Sequence, residues 1–542
     1  MVNWVSELSG MKIAVVGGMI VDGTGSPWFY SNIYISDGII SKIGHEWEER
    51  PEVVIDASGQ VVCPGFIDMH GHSDYSLLVN PFAESKVRQG VTTEVIGQCG
   101  FSLAPINDWS AEYLEKTMPD HIKGHVSVDW RTMDEYLNKL EERRTSINVV
   151  PFIGHGTVRM NVLRFENREP TEEELEEMKG YVREGMEAGA FGLSTGLIYP
   201  PSSYAKTEEI VELCKVVAEY KGMYASHIRG ESDTLIEAVK EAIEIGEKSG
   251  CRVEISHFKA SGKRNWGKTK VTCRIVEEAR ERGVEVAFDF YPYTASSTGL
   301  DVLLPQWALE GGVEAMLRRL RDPEARREIR SYMEDRVRRG KYADKEVYDI
   351  IRITDFAPNR GIQGKTVAEI SKEWGLDPYE TVFELLLRSE GRVGIIIHGM
   401  NEEDLLRVMR HPLSCVGSDS SCYAKYGPLS ETRPHPRAYG TFARVLGYYS
   451  RERKILTMEE AIRKMTSAPA SRLRLFRRGL IREGFHADLV VFDPRKVIDR
   501  ATYLDPHQYA EGINYVLVNG EIVVEKGEHT KARPGKVLRF SK

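Results

Sequence analysis

The chain has 542 residues, 41% of them hydrophobic and 28% charged, with a formal net charge of −8. That length exceeds what one hydrophobic core usually serves, so two or three domains are expected. Basic residues are spread and offset by acids, which excludes a nucleic-acid footprint. No apolar run reaches membrane-spanning length, and seven scattered cysteines, an odd number, exclude a disulfide framework and point to a reducing, cytoplasmic setting.

Met1–Gly10 is too polar for a signal peptide. It reads as a short extension, since strand-like sequence begins just past Met11, and either methionine suits as the start. Residues 12–62 hold short β-type runs, Ile13–Val16, Ile33–Ile35 and Val53–Ile55, punctuated by Asp22-Gly23 and Asp37-Gly38. From Gly65 to about Pro469 apolar runs alternate with amphipathic helical stretches, the pattern of repeated βα units. Candidate strands are Gly65–His70, Thr92–Ile96, Ile147–Ile153, Ala190–Ser194, Met223–His227, Val253–His257, Val284–Phe288, Val393–His398 and Leu413–Ser418. Candidate helices include Thr171–Ala188, which opens with Thr and acids as a helix N-terminus should, and Asp233–Ser249. Residues 300–360, crowded with Arg and Glu, read as a helical insertion. After residue 479 β-type sequence returns, with a hairpin signal at Asn519-Gly520.

The expected architecture is therefore α/β. A metal-dependent (β/α)8 TIM-like barrel spans 65–470, with an insertion at about 300–360. Both chain ends, 1–64 and 471–542, form one small β-sandwich domain. In such barrels the active site lies at the C-terminal ends of the strands.

Potential metal ligands recur at those ends. His70 and His72 close the first apolar run at alternate positions, so they leave one side of a strand end together. Cys99 follows the second run in Gly97-Gln98-Cys99-Gly100. His227 closes Ala225-Ser226-His227, His257 closes Glu254-Ile255-Ser256-His257, and Asp419 follows the last strand. Each has an ordinary reading alone, a buried thiol or a hydrogen-bonded core histidine. Six metal-capable side chains at one end of successive strands have none. Imidazole, thiolate and carboxylate together suit zinc or a related divalent ion. His155 and His398 lie at plausible strand ends, where orienting a ligand and an ordinary structural role are both open. His125, His411 and His507 read as loop residues.

These residues resemble the amidohydrolase superfamily and, within it, the N-acyl-D-amino-acid deacylases (D-aminoacylases). The resemblance spans nearly the whole chain: Val21–Gly25, Pro64–His72, Gly192–Leu197, Asp289–Tyr293, His435-Pro436-Arg437 with Gly440-Thr441-Phe442, and Ala487-Asp488-Leu489. Many superfamily members carry a carboxylated lysine on the fourth strand. Here that strand reads Gly-Leu-Ser-Thr-Gly-Leu, and Cys99 is available instead, as in the deacylases.

The resemblance implies a zinc-dependent hydrolase of the linear amide in N-acyl-D-amino acids, releasing a carboxylate and a free D-amino acid. It implies a tight zinc site of Cys99, His227 and His257, with His70 and His72 as a second, weaker metal position. Asp419 would be the acid/base residue. Lys259 and Arg437 would bind the substrate carboxylate, an anion best met by a cationic clamp, with Tyr291 and Ser297 as hydrogen-bonding partners. The D preference rests on the resemblance alone, and the partner implied is a small molecule rather than nucleic acid or membrane. Residue types do not set the oligomeric state or the substrate's side chain. The alternatives are a cyclic amide hydrolase of dihydropyrimidinase or dihydroorotase type, which usually wants the missing lysine, and a dipeptidase for dipeptides ending in a D-residue. A non-catalytic barrel ranks last, because the ligands are all present.

Overall fold

The computed structural model describes residues 11–46, 49–338 and 345–541, so the reading of Met1–Gly10 lies outside the described residues. Eight parallel strands form the barrel: Phe66–Asp68, Val91–Ile96, Asn148–Pro151 continued by Ile153–Gly154, Gly192–Gly196, Met223–His227, Arg252–Ile255, Val286–Phe290 and Ser414–Val416. The third is split at Phe152; its first part pairs with the second strand and its second part with the fourth. All eight strands are buried along their lengths, so none shows the alternation of a strand with one face in solvent. Thr171 caps the helix Glu172–Glu187 with a capping box to Glu174.

No regular ladder joins the first and eighth strands. Buried polar groups close this seam instead. Asp68 Oδ1 accepts from Ser418 N at 2.7 Å, and Asp419 N donates to His70 O at 2.7 Å. The fully buried Lys86 ammonium lies 2.7 Å from Asp68 Oδ2 and 3.1 Å from Glu94 Oε1, and donates to Ser418 Oγ and Ser420 O, each at 2.7 Å. Burial opposes its charge, but Asp68 and Glu94 outweigh burial and push Lys86 up to about 12. Removing one partner of a buried ion cluster typically costs about 3–5 kcal/mol. Lys86→Met is expected to lose that much stability, read from the urea unfolding midpoint; a change below about 1 kcal/mol would show that the seam does not depend on this ammonium.

Between the seventh and eighth strands the sequence expectation needs correcting in two respects. The insertion is not purely helical and is not confined to 300–360. Ser296–Gly299, Ile351–Asp355 and Gly394–Ile397 form a three-stranded antiparallel sheet, carrying helices that include Gly312–Arg321, Pro323–Arg338, Val367–Trp374 and Pro378–Arg388. Second, the run Val393–His398 is not a barrel strand. It is the central strand of this small sheet, with Ile396 opposite both Ser297 and Arg352. Ile395 and Ile397 join a core of their own with Leu300, Leu320, Phe356 and Phe383. An apolar run records that a strand is buried, not which sheet buries it.

The two chain ends meet in one nine-stranded sheet. Val61–Pro64 pairs antiparallel with Leu489–Phe492. Ile13, Val15, Ile33, Ile35, Val62, Leu489 and Leu517 share one core. Eight of its strands follow one hydrogen-bonded path, and Val53–Asp56 branches from it by pairing in parallel with Ile13–Ile20. The Asn519-Gly520 hairpin has φ of 50° and 81°, the double left-handed turn that suits the strand twist.

Candidate metal centre and active site

The expected ligands converge at the C-terminal mouth of the barrel. Cys99 Sγ lies 3.3 Å from His70 Nε2, 3.6 Å from His227 Nδ1 and 3.5 Å from His257 Nε2. Asp419 Oδ1 is 3.1 Å from His72 Nε2 and 3.6 Å from His70 Nε2. His70, Cys99, His257 and Asp419 present ligand atoms all within 4.8 Å of one another.

Cys99, His257 and Asp419 each stand just past a strand end with left-handed φ, 53°, 37° and 50°. Such backbone is costly without glycine and persists only where neighbours enforce it. They do so here: His257 N donates to Asp289 Oδ1 at 2.7 Å, Gly100 N to Ser194 Oγ at 3.0 Å, and Asp419 N to His70 O. The fourth strand contributes by what it lacks. A Cβ at Gly196 would lie 2.0 Å from the Cys99 carbonyl oxygen, so any side chain there would displace the Cys99 loop.

The donor set fits a divalent ion chemically. Burial would raise the Cys99 thiol, but the His70 and His257 imidazoles outweigh it and hold the thiol well below its ordinary value, favouring thiolate. Burial likewise opposes ionised Asp419, and Arg437 above all overrides it, holding the carboxyl well below its usual range. His70 Nδ1 faces Asp289 Oδ2 at 3.3 Å, which leaves Nε2 turned to the cluster.

The residues expected to form the clamp stand beside this cluster. Arg437 Nη1 is 2.8 Å from Asp419 Oδ2, and Lys259 Nζ donates to Glu231 Oε1 at 2.5 Å. Both cations lie over the Tyr291 ring, at 4.6 Å and 5.7 Å from its centroid. The Tyr291 hydroxyl points to Met400 Sδ at 3.8 Å, so the ring is a platform for two cations, a contact that residue type alone did not predict. The His-Pro-Arg motif has a mechanical reason. His435 Nε2 donates to Ala295 O at 3.0 Å, and its Nδ1 accepts from Arg437 N at 3.0 Å. The motif thus fixes the start of helix Arg437–Arg444 against the insertion's approach.

A cavity of about 810 Å³ opens over the cluster, lined by His72, Cys99, His227, His257, Lys259, Asp419 and Arg437. The insertion supplies one wall with Ser297, Thr298, Val302 and Ile397. The Ser297 hydroxyl donates to Ile395 O at 2.9 Å. His155 is a buried structural residue, bonded to Ser202 Oγ at 2.6 Å and Glu209 Oε1 at 3.0 Å. His398 packs on Tyr503 with ring centres 4.6 Å apart. Asp289, Lys86 and Glu231 were not singled out from sequence. Asp289 opens a quoted motif, but nothing in its neighbours marks it as the carboxylate behind His70.

The sequence profile of the amidohydrolase family matches residues 53–524. The chain belongs to that family. This amidohydrolase is 36% identical to the N-acyl-D-aspartate deacylase of Alcaligenes xylosoxydans xylosoxydans, over 97% of this chain and 94% of that one. It is 34% identical to the D-aminoacylase of the same organism, over 98% of each. Among solved structures it resembles the N-acyl-D-glutamate deacylase of Bordetella bronchiseptica, solved with zinc and a phosphonate inhibitor. That match has a TM-score of 0.81 and 36% identity, covering 98% of this chain and all of that one. Metal dependence accords with the donor set. Among the described residues no helix is long and apolar enough to cross a membrane.

Proposed function

We propose that this amidohydrolase is a zinc-dependent deacylase that hydrolyses N-acyl-D-amino acids to a carboxylate and a free D-amino acid. One observation carries the reading: a Cys/His metal cluster and a two-cation clamp share one cavity, and Asp419 contacts both. The D-amino-acid specificity follows the curated relatives. The seven free thiols suit a cytoplasmic setting.

Cys99, His227 and His257 would hold the tight ion, and His70 with His72 a weaker one. When bound, the ion supplies Lewis-acid polarisation of the amide carbonyl and acidifies water. Everything else falls to side chains. Arg437 and Lys259 bind the α-carboxylate and so fix the amide relative to the cluster. The buried Arg437 Nε has no hydrogen-bond partner among the described residues, so the guanidinium keeps a donor for an incoming anion. Hydrolysis moves one proton from the attacking water to the departing nitrogen as the C–N bond breaks. Asp419, ionised in the resting protein, accepts that proton and returns it to the amine.

The clamp is tested with an N-acyl-D-amino acid and its C-terminal amide. The wild type should strongly prefer the free acid. Losing a charge-assisted hydrogen bond costs about 1.5–3 kcal/mol, so Arg437→Met should lower kcat/KM on the acid by roughly one to two powers of ten and erode the preference. Equal cleavage of acid and amide by the wild type would overturn the clamp and turn the reading toward cyclic amides. Paired D- and L-N-acetyl substrates, with metal content measured on the same preparation, test the stereochemistry and the ion together.

A further inference from the structure

The cavity over the cluster, at about 810 Å³, lies toward the upper end of the roughly 300–1,000 Å³ of small-molecule pockets. Its walls differ around the barrel. Lys259 follows the sixth strand and Arg437 lies beyond the eighth, so these two cations stand on the side of the mouth centred on the seventh strand. In a closed eight-stranded barrel each strand faces the one four places on, and the side opposite the cations is centred on the third strand. There the wall is apolar. Helix Asp108–Thr117, after the second strand, supplies Tyr113 and Leu114; helix His155–Leu163, after the third, supplies Met160, with Phe165 just beyond its end. The Tyr113 and Phe165 rings meet with centres 4.9 Å apart. The insertion reaches across to them: Gly311 N donates to Phe165 O at 3.1 Å, and a Cβ at Gly312 would lie 3.1 Å from the Phe165 ring.

The hydroxyls on the same two helices are turned to internal acceptors, Thr117 to Tyr113 O at 2.7 Å and Thr157 to Ser102 O at 2.8 Å. The other two arginines in the cavity wall are engaged as well. Arg229 is held by Glu241 and the carbonyl oxygens of Ser203 and Ala205, and Arg336 Nη1 by those of Val302 and Leu303. What this limb offers an occupant is apolar surface. In an N-acyl-D-amino acid the α-carbon bears both the carboxylate and the side chain, whereas the acyl chain lies on the far side of the reacting carbonyl. With the carboxylate on Arg437 and Lys259 and the carbonyl at the cluster, the acyl chain runs toward the second and third strands. We propose that Tyr113, Leu114, Met160 and Phe165 form an acyl-chain subsite, and that the preferred substrates carry longer, apolar acyl groups rather than acetyl. The inference rests on the deacylase reading and its carboxylate clamp.

The test crosses two substrate series on the wild type: N-acetyl, N-butyryl and N-hexanoyl forms of one D-amino acid, and N-acetyl forms of D-amino acids with lengthening straight side chains. Each buried methylene is worth about two- to fourfold, so kcat/KM should rise by roughly 20–200-fold from acetyl to hexanoyl. Calorimetric titration of the metal-free protein, which reads binding without turnover, should rank the acyl series in the same order, with a heat-capacity change that grows more negative along it. Phe165→Ser and Tyr113→Ser, both half-buried positions, should each cut the hexanoyl-to-acetyl ratio by about fivefold or more and leave the side-chain series unchanged in slope. A ratio taken within one variant cancels any general loss of active protein. An acyl series that is flat or falls in the wild type overturns the proposal. So does a pair of variants that keeps the full acyl ratio, or that flattens the side-chain series instead. If no N-acyl-D-amino acid of any chain length is cleaved by the zinc-loaded protein, the deacylase reading itself is overturned, and this inference with it.

Discussion

Cys99→Ala is expected to lose the tight metal ion and the activity together. Cys99 is the hub of the cluster, its sulfur within 3.6 Å of three imidazoles. It is also the anionic donor among the three expected tight ligands, since neighbouring histidines favour its thiolate. Without it His227 and His257 are two neutral ligands, short of the three protein ligands that catalytic zinc sites use. Metal assistance is worth several kcal/mol of transition-state stabilisation. At about 1.4 kcal/mol per factor of ten, kcat/KM should fall on the order of 10³ or more. Metal analysis and kinetics on one preparation decide the matter, with the apo wild type as the control for folding. A variant that keeps one full equivalent of tightly bound metal would remove Cys99 from the site.

Why this hub was readable in sequence, and its supports were not, has a physical basis. A barrel strand buried on both faces is a short apolar run, and chemistry sits within a few residues of its C-terminal end. Cys99, His227, His257 and Asp419 could therefore be found by looking just past each run. Lys86 could not: on a short helix, a lysine reads as a solvated charge, and only the fold reveals Asp68 and Glu94 around it. Glu231 follows its strand in an Ile-Arg-Gly-Glu loop with no regular period, and its partner Lys259 is 28 residues away. The Val393–His398 run failed for the complementary reason. Its composition matched a barrel strand, but its neighbours, Ser296–Gly299 and Ile351–Asp355, are weakly apolar and distant in sequence. Strand existence is a local property, whereas strand partnership is not.

Asp419→Asn should separate chemistry from metal binding. Asp419 Oδ1 faces His72 at 3.1 Å and its Oδ2 faces Arg437 at 2.8 Å, so one carboxylate spans the proposed weaker metal position and the proposed clamp. Arg437 holds it ionised against burial, the state a proton acceptor needs. The amide is nearly isosteric and keeps hydrogen-bonding capacity, but it cannot take the proton that must pass from water to the leaving nitrogen. General acid–base catalysis is usually worth 10²–10⁴, so turnover should drop by about that factor. On the proposed division of ligands, an ion held by Cys99, His227 and His257 should remain, because Asp419 is not one of those three. KM should change far less than kcat, since Arg437 and Lys259 are intact and the lost interaction belongs to the transition state. Arg437 would lose its internal counter-ion, which if anything strengthens its hold on an anionic substrate. Near-normal turnover with metal in place would assign the proton to another base. Metal loss alongside the rate would make Asp419 a ligand of the tight ion, and the division of labour between the two metal positions would have to be redrawn.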